Sequence, residues 1–167
     1  SISAAGKAAV IVTSVMNISM PNELYRVDPK TGISTQITFA NKEVLATVKM
    51  GKVEKRMVKA TDGKEILTWV IYPPDFDPAK KYPVLFCNYG GPGSQQVSNL
   101  FGAVNFWHQM LAQKGFIVVS VDNTGTGYRG EEFKKKTYLQ LGKFEIEDQI
   151  DAAKYLGTMP FVDKDNI

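Results

Sequence analysis

The chain has 167 residues, 44% of them hydrophobic and 22% charged, which is ordinary globular composition. It excludes a disordered, collagen-like or disulfide-built polypeptide, and the length leaves room for one main core plus a small satellite unit. The 20 Lys and Arg against 17 Asp and Glu leave a net charge of +3 without a dense basic stripe, so no nucleic-acid surface is indicated.

Residues 9–13 read as a first strand. The apolar run behind Lys7 meets Thr13 and Ser14 too soon, and without a clear cleavage site, to be an export leader. Residues 23–27 alternate polar and apolar as a second strand. Pro29 and Gly32 make 28–32 a turn, and 33–38 alternates again as the returning strand. Such a short meander cannot bury both faces, so a piece of a larger sheet structure is expected. Further on, 56–60 and 66–72 flank Asp62-Gly63 as a hairpin. Pro73, Pro74 and Pro78 then force an extended surface connector.

After residue 80 the pattern becomes strand, glycine loop and helix, twice over. Residues 82–88 are apolar almost throughout, as for a strand covered on both faces, and lead into Tyr89-Gly90-Gly91-Pro92-Gly93. Leu100, Val104, Trp107 and Leu111 recur at spacings of three and four, which predicts an amphipathic helix over 100–114 with Gly115 as its C-cap. Residues 116–121 are the next buried strand, and this strand–helix–strand order predicts a right-handed βαβ unit with parallel strands. A last helix is expected over 143–156. Glu145, Glu147 and Asp148 serve its positive N-terminal end, Ile146, Ile150 and Ala153 share a face, and Gly157 stops it. Residues 161–167 read as the lead-in to a further strand, so a C-terminal truncation is expected. The fold class is α/β. The longest apolar runs, such as 116–119, fall far below the roughly 18 residues of a membrane span, and the mean hydropathy is −0.16.

The candidate chemical groups are few. Cys87 lies in an apolar run and reads as a small core residue, and a single cysteine forms no internal disulfide. His108, the only histidine, reads as a packing or surface residue of its helix rather than a general base. Gly125-Thr126-Gly127-Tyr128-Arg129-Gly130 satisfies the dinucleotide-binding pattern, but 131–141 is polar and poorly periodic where that pattern requires a helix, so a structural glycine loop is expected and no cofactor. No His/Cys cluster is present, and Glu145, Glu147 and Asp148 read as helix-end charges, so no metal is expected. No serine occupies a G-x-S-x-G elbow, and Ser94, the nearest imitation, reads as a turn residue. The most informative feature is the loop after residue 88. It places glycines and the Tyr89 phenol at the carboxyl edge of a strand, where ligands bind in open α/β sheets and where a phenolic O–H can donate to a developing oxyanion. The alternative for Tyr89 is a side chain merely packed on the sheet.

Three blocks, 80–95 with Tyr89 to Gln95, 121–130 with Asp122 to Gly130, and Leu141-Gly142 with 145–149, resemble in order and spacing the dipeptidyl peptidase IV branch of the prolyl oligopeptidase serine peptidases. Residues 22–28, with Thr31-Gly32 and Ile37-Thr38, are similar to the closing strands of that family's β-propeller. The resemblance implies that 1–42 are the last strands of a β-propeller. Residues 43–167 would then be the N-terminal half of an α/β-hydrolase sheet, truncated before its nucleophile. It further implies a parent enzyme, exported to the periplasm or cell surface, that releases N-terminal dipeptides with Pro or Ala second through a Ser–Asp–His triad. Tyr89 would be the oxyanion donor, with the triad beyond residue 167 and the residues that hold the substrate's amino terminus before residue 1. Many members carry an Arg-Gly pair after the aspartate of the second block, where Asn123-Thr124 precede Gly125 here, so that arginine's role does not carry over. The chain alone is expected to be inactive and, with exposed sheet edges, to self-associate as a homo-oligomer. The rivals are an acylaminoacyl or tripeptidyl peptidase of the same superfamily, and a nucleotide-binding or interaction domain built on the βαβ unit.

Overall fold

The computed structural model describes residues 1–103 and 105–167. They divide into two compact units, Ser1–Lys49 with Asn99–Asn105, and Met50–Ser98 with Phe106–Ile167.

The first unit is an antiparallel sheet of β1 (Ile2–Ala4), β2 (Ile11–Asn17), β3 (Met20–Val27) and β4 (Ser34–Gln36), paired in that order. Strand β1, which no alternation signals, pairs its three residues with β2. The turn after β3 closes as expected: Asp28 accepts from the Lys30 amide at 2.8 Å through its carboxylate, and from the Gly32 amide at 2.8 Å through its carbonyl. A short helix, α1 (Lys42–Thr47), follows and buries no residue. Ile2, Leu24, Ile33 and Phe39 remain exposed, so this sheet leaves much of its apolar surface open to solvent.

The second unit is a mixed sheet of β5 (Val53–Lys59), β6 (Glu65–Ile71), β7 (Val84–Phe86) and β8 (Ile117–Asp122), in the order β5-β6-β8-β7. Strand β6 pairs antiparallel with both β5 and β8, and β7 runs parallel to β8. The β5–β6 hairpin turns at Gly63, whose φ of +86° only glycine adopts without cost. Val58, Ile66, Val70, Ile117, Val119 and Val121 form the core with Ala152 and Leu156. Each fully buried aliphatic side chain of this size contributes about 1.5–3 kcal/mol.

The strand after residue 80 is only Val84–Phe86, and it is not covered on both faces, since Leu85 is 36% exposed. The helix expected over 100–114 is instead a 3-10 turn at Phe101–Ala103 and a helix α2 (Phe106–Gln113), and Val104 lies outside the described residues. Gly102, a poor helix former, sits in the broken stretch. Trp107 is exposed, and α2 buries Gln109 and Ala112, because the Gln109 carboxamide accepts from the Gly51 amide at 2.6 Å. A hydrogen-bonded amide can be buried where a periodicity count expects an apolar side chain.

The last helix, α4 (Lys143–Gly157), has the expected extent within a residue, but it is rotated relative to the expected face. Ile146 and Ile150 are exposed, and Asp148, Ala152 and Leu156 face inward. Asp148 is therefore not a solvated helix-end charge. It is fully buried, ion-paired to Lys64 at 2.8 Å and accepting from the Thr124 amide at 2.7 Å. One turn along, Asp151 accepts from the Thr61 amide at 2.7 Å and from its hydroxyl at 2.8 Å. Both carboxylates thus bind the β5–β6 turn. After α4 the chain returns beside β7: Tyr82 bridges Val162 in parallel, and the Val84 amide donates to Asn166 at 2.9 Å.

Removing one partner of a buried ion pair costs more than the pair contributes. Lys64→Met, which leaves the Asp148 carboxylate buried without its counter-charge, is expected to destabilise the second unit by about 3 kcal/mol. Urea unfolding measures this as a lowered midpoint at unchanged slope, and an unchanged midpoint contradicts the assignment.

Candidate active site

The carboxyl ends of β7 and β8 lie side by side because the two strands are parallel neighbours, and the loops that leave them meet. The Gly93 amide donates to Gly125 at 2.9 Å and the Gly127 amide to Ser94 at 2.7 Å. A Cβ on Gly127 would lie 2.9 Å from the Gly93 carbonyl oxygen, so this approach requires glycine. The Asp122 carboxylate, at the end of β8, accepts from the Gln96 and Val97 amides at 2.8 and 2.9 Å. Burial raises the Asp122 pKa above the ordinary carboxylate range, and these two N–H donors oppose the shift. The loop that carries Tyr89 is thus tied at its far end to the strand that ends beside it.

Tyr89 is 74% exposed and stands at the rim of a cleft of about 510 Å³. Phe86, Ile146, Ile150, Ala153 and Ile167 form its apolar wall, and Asn88, Asn123 and Gln149 bring polar groups to its floor. The outward side of α4, expected from its periodicity to be a core face, is therefore the wall of this cleft. A Cβ on Gly91 would lie 2.7 Å from the Tyr89 ring, so the glycine lets the phenol fold over its own backbone.

Ser94 is locked in a turn, its hydroxyl donating to Gly91 at 2.6 Å. Cys87 is half-buried and its thiol pKa is raised by burial, the opposite of an activated nucleophile. Burial lowers the His108 pKa, and its ring lies 5.2 Å from that of Trp69 in α2's contact with β6. In the Gly125–Gly130 loop the amides of Gly125, Thr126 and Gly127 donate to Phe133, Asn123 and Ser94, so they are not free to cradle a phosphate. A short helix, α3 (Glu131–Lys135), does open directly after Gly130, correcting the expectation that no helix follows there at once. Among the described residues no three His, Cys, Asp or Glu side chains gather as a metal site, and no helix is long and apolar enough to cross a membrane.

Asn88, Asn123 and Gln149 are brought together without having been singled out by sequence reasoning. The usable signal is positional: Asn88 follows the apolar run that ends at Cys87, Asn123 follows Asp122 at the end of β8, and Gln149 follows the buried Asp148.

Comparison with known proteins agrees with this arrangement. Residues 103–167 match the model of the prolyl oligopeptidase family. The chain is 33% identical over 158 residues to the dipeptidyl-peptidase 5 of Porphyromonas gingivalis, covering 95% of this chain and 23% of that protein. It is 50% identical over 103 residues to a probable dipeptidyl-aminopeptidase B of Trichophyton verrucosum, covering 62% of this chain and 11% of that protein. The crystal structure of Porphyromonas gingivalis dipeptidyl peptidase 4 superposes with a TM-score of 0.83 at 36% identity, covering all of this chain and 24% of that one. The chain therefore spans about a quarter or less of the length of these relatives. The chain belongs to the prolyl oligopeptidase family. Within that family its relatives place it in the dipeptidyl peptidase IV branch.

Gly91→Ala is expected to turn the Tyr89 ring away from its present seat without unfolding the sheet. Two-dimensional NMR checks this through Tyr89 ring resonances that move while those of buried Tyr72 and Tyr82 stay. Unmoved Tyr89 resonances would show that the ring does not rest on Gly91.

Proposed function

We propose that this chain is part of a serine exopeptidase that releases N-terminal dipeptides, with Pro or Ala as second residue, and that Tyr89 supplies an oxyanion-stabilising hydrogen bond. The observation that carries the reading is the exposed Tyr89 phenol at the carboxyl edge of β7, on a tied-down loop beside an apolar cleft. In this reading residues 1–42 close a β-propeller and 43–167 begin an α/β-hydrolase domain. The names of the relatives, two dipeptidyl peptidases and a probable dipeptidyl-aminopeptidase, support the substrate class.

The chemistry follows from what the phenol can do. When a nucleophile adds to a peptide carbonyl, charge gathers on the oxygen, and a donor already aimed at that position stabilises the transition state without reorganising. Tyr89 is such a donor, and the loop ties reduce the freedom it would otherwise lose on reaction. In this reading, as the family resemblance implies, the nucleophile, its base and the orienting acid are supplied from outside residues 1–167; Ser94 is bound in its turn and no serine occupies an elbow. The isolated chain is accordingly inactive.

The test uses the natural-length protein. A fluorogenic dipeptide amide should be cleaved while an N-acetylated substrate is not, and a fluorophosphonate probe should label a serine outside this segment. Tyr89→Phe is expected to lower kcat by about 10²–10³ with KM little changed, as for loss of one oxyanion donor. Cleavage of the blocked substrate alone would favour an acylaminoacyl peptidase, and an unchanged kcat in Tyr89→Phe would remove the oxyanion role.

A further inference from the structure

The three carboxamides beneath the Tyr89 loop form one directed chain of hydrogen bonds. The Val121 amide donates to Asn88 Oδ1 at 2.9 Å, and Asn88 Nδ2 donates to Gln149 Oε1 at 2.7 Å. Gln149 Nε2 donates to Asn123 Oδ1 at 3.1 Å, and Asn123 Nδ2 donates to the Gly90 carbonyl at 3.1 Å. The two ends fix the direction. A backbone N–H can only donate and a backbone carbonyl can only accept, so each amide in between has one orientation that completes the chain. Reversing any one of them would set donor against donor or acceptor against acceptor. Amides aligned in this way polarise one another and strengthen the final bond.

The last link falls on the Gly90–Gly91 peptide, one residue beyond Tyr89. Asn123 is fully buried, and its Nδ2 also donates to the Thr124 carbonyl at 2.8 Å, so its plane is held from two sides. Gly90 has a φ of +68°, and a Cβ there would lie 2.6 Å from Asn123 Oδ1. The missing side chain is therefore the space into which the carboxamide fits.

We infer that the relay Asn88–Gln149–Asn123 is the device that positions the oxyanion donor, with Gln149 carrying the orientation of α4 into the Tyr89 loop. The inference rests on the oxyanion role proposed above for Tyr89. The three residues touch no reacting atom. They hold the Gly90–Gly91 peptide and, through the Gly90 backbone seated against Asn123, restrain the direction in which the Tyr89 side chain leaves the chain.

The test is a double-mutant cycle in the natural-length peptidase. Gln149→Met keeps the side-chain length and removes both of its hydrogen bonds. It is expected to lower kcat by about tenfold or more, the scale of a donor displaced by a fraction of an ångström to an ångström. KM should stay within about twofold, because ground-state binding is not the interaction lost. In the Tyr89→Phe background the same substitution should have almost no further effect on kcat, since there is no hydroxyl left to position. Asn88→Ala, at an exposed residue, breaks the relay at its first link and should read the same way if Gln149→Met fails to fold. An unchanged kcat in both variants, or an equal loss in both backgrounds, overturns the relay. An unchanged kcat in Tyr89→Phe by itself overturns the oxyanion reading instead.

Discussion

A single buried carboxylate sets the geometry on which the site depends. Asp148 lies in the second turn of α4, fully buried, and holds Lys64 at 2.8 Å and the Thr124 amide at 2.7 Å. One contact binds the helix to the β5–β6 turn, and the other binds it to the segment that leaves β8. An ionised group is retained in an apolar interior only when its partners are fixed, so the helix has little freedom of rotation or slip. The burial that disfavours charge on Lys64 is outweighed by Asp148 and Asp62, and its pKa is held above the ordinary lysine value. The stability gained from this shift is full below the ordinary lysine pKa and is lost as pH rises through the raised value. Lys64 thus stays charged across the neutral range.

Fixing Asp148 also fixes Gln149, its neighbour. The helix then presents an amide to the floor of the cleft while Ile146, Ile150 and Ala153 form the wall. The same element provides structure on one side and site on the other. Asp122 performs the matching task from the sheet, holding the amides of Gln96 and Val97, and the paired glycine loops close the distance between the two strand ends. The phenol stands exposed at the edge of a framework whose Gly90–Gly93, Gln96–Val97 and Gly125–Gly127 segments are tied to one another or to β8's end.

The elements most legible in the sequence were those written in local chemistry. Asp62-Gly63 marked its hairpin because the turn needs a residue that accepts positive φ, and 116–121 marked a buried strand because both of its faces are apolar. The extent of α4 was legible for the same reason, from its N-terminal carboxylates and its closing glycine. Its orientation was not. Periodicity assumes that apolar residues face inward, and here Asp148 does so while Ile146 and Ile150 line a cleft. Gln109 repeats the lesson in α2, buried because its carboxamide bonds Gly51, while Trp107 stays outside. Tyr89 was legible as a candidate from its place after an apolar strand. The amide relay beneath it was not, because its members come from β7's end, β8's end and α4, and uncharged amides leave no periodic or charge pattern that would connect them.

The central claim is that the Tyr89 hydroxyl is aimed, by ties reaching back to α4, at the place where negative charge develops. The most direct test is a crystal structure of the natural-length protein with a dipeptide aldehyde or boronate that forms a tetrahedral adduct. The expected result is the Tyr89 hydroxyl about 2.5–3.0 Å from the adduct oxygen, a hydrogen-bond distance, with Asn123 Nδ2 still on the Gly90 carbonyl. A tetrahedral oxygen held by other donors, with Tyr89 turned away from it, would contradict the account.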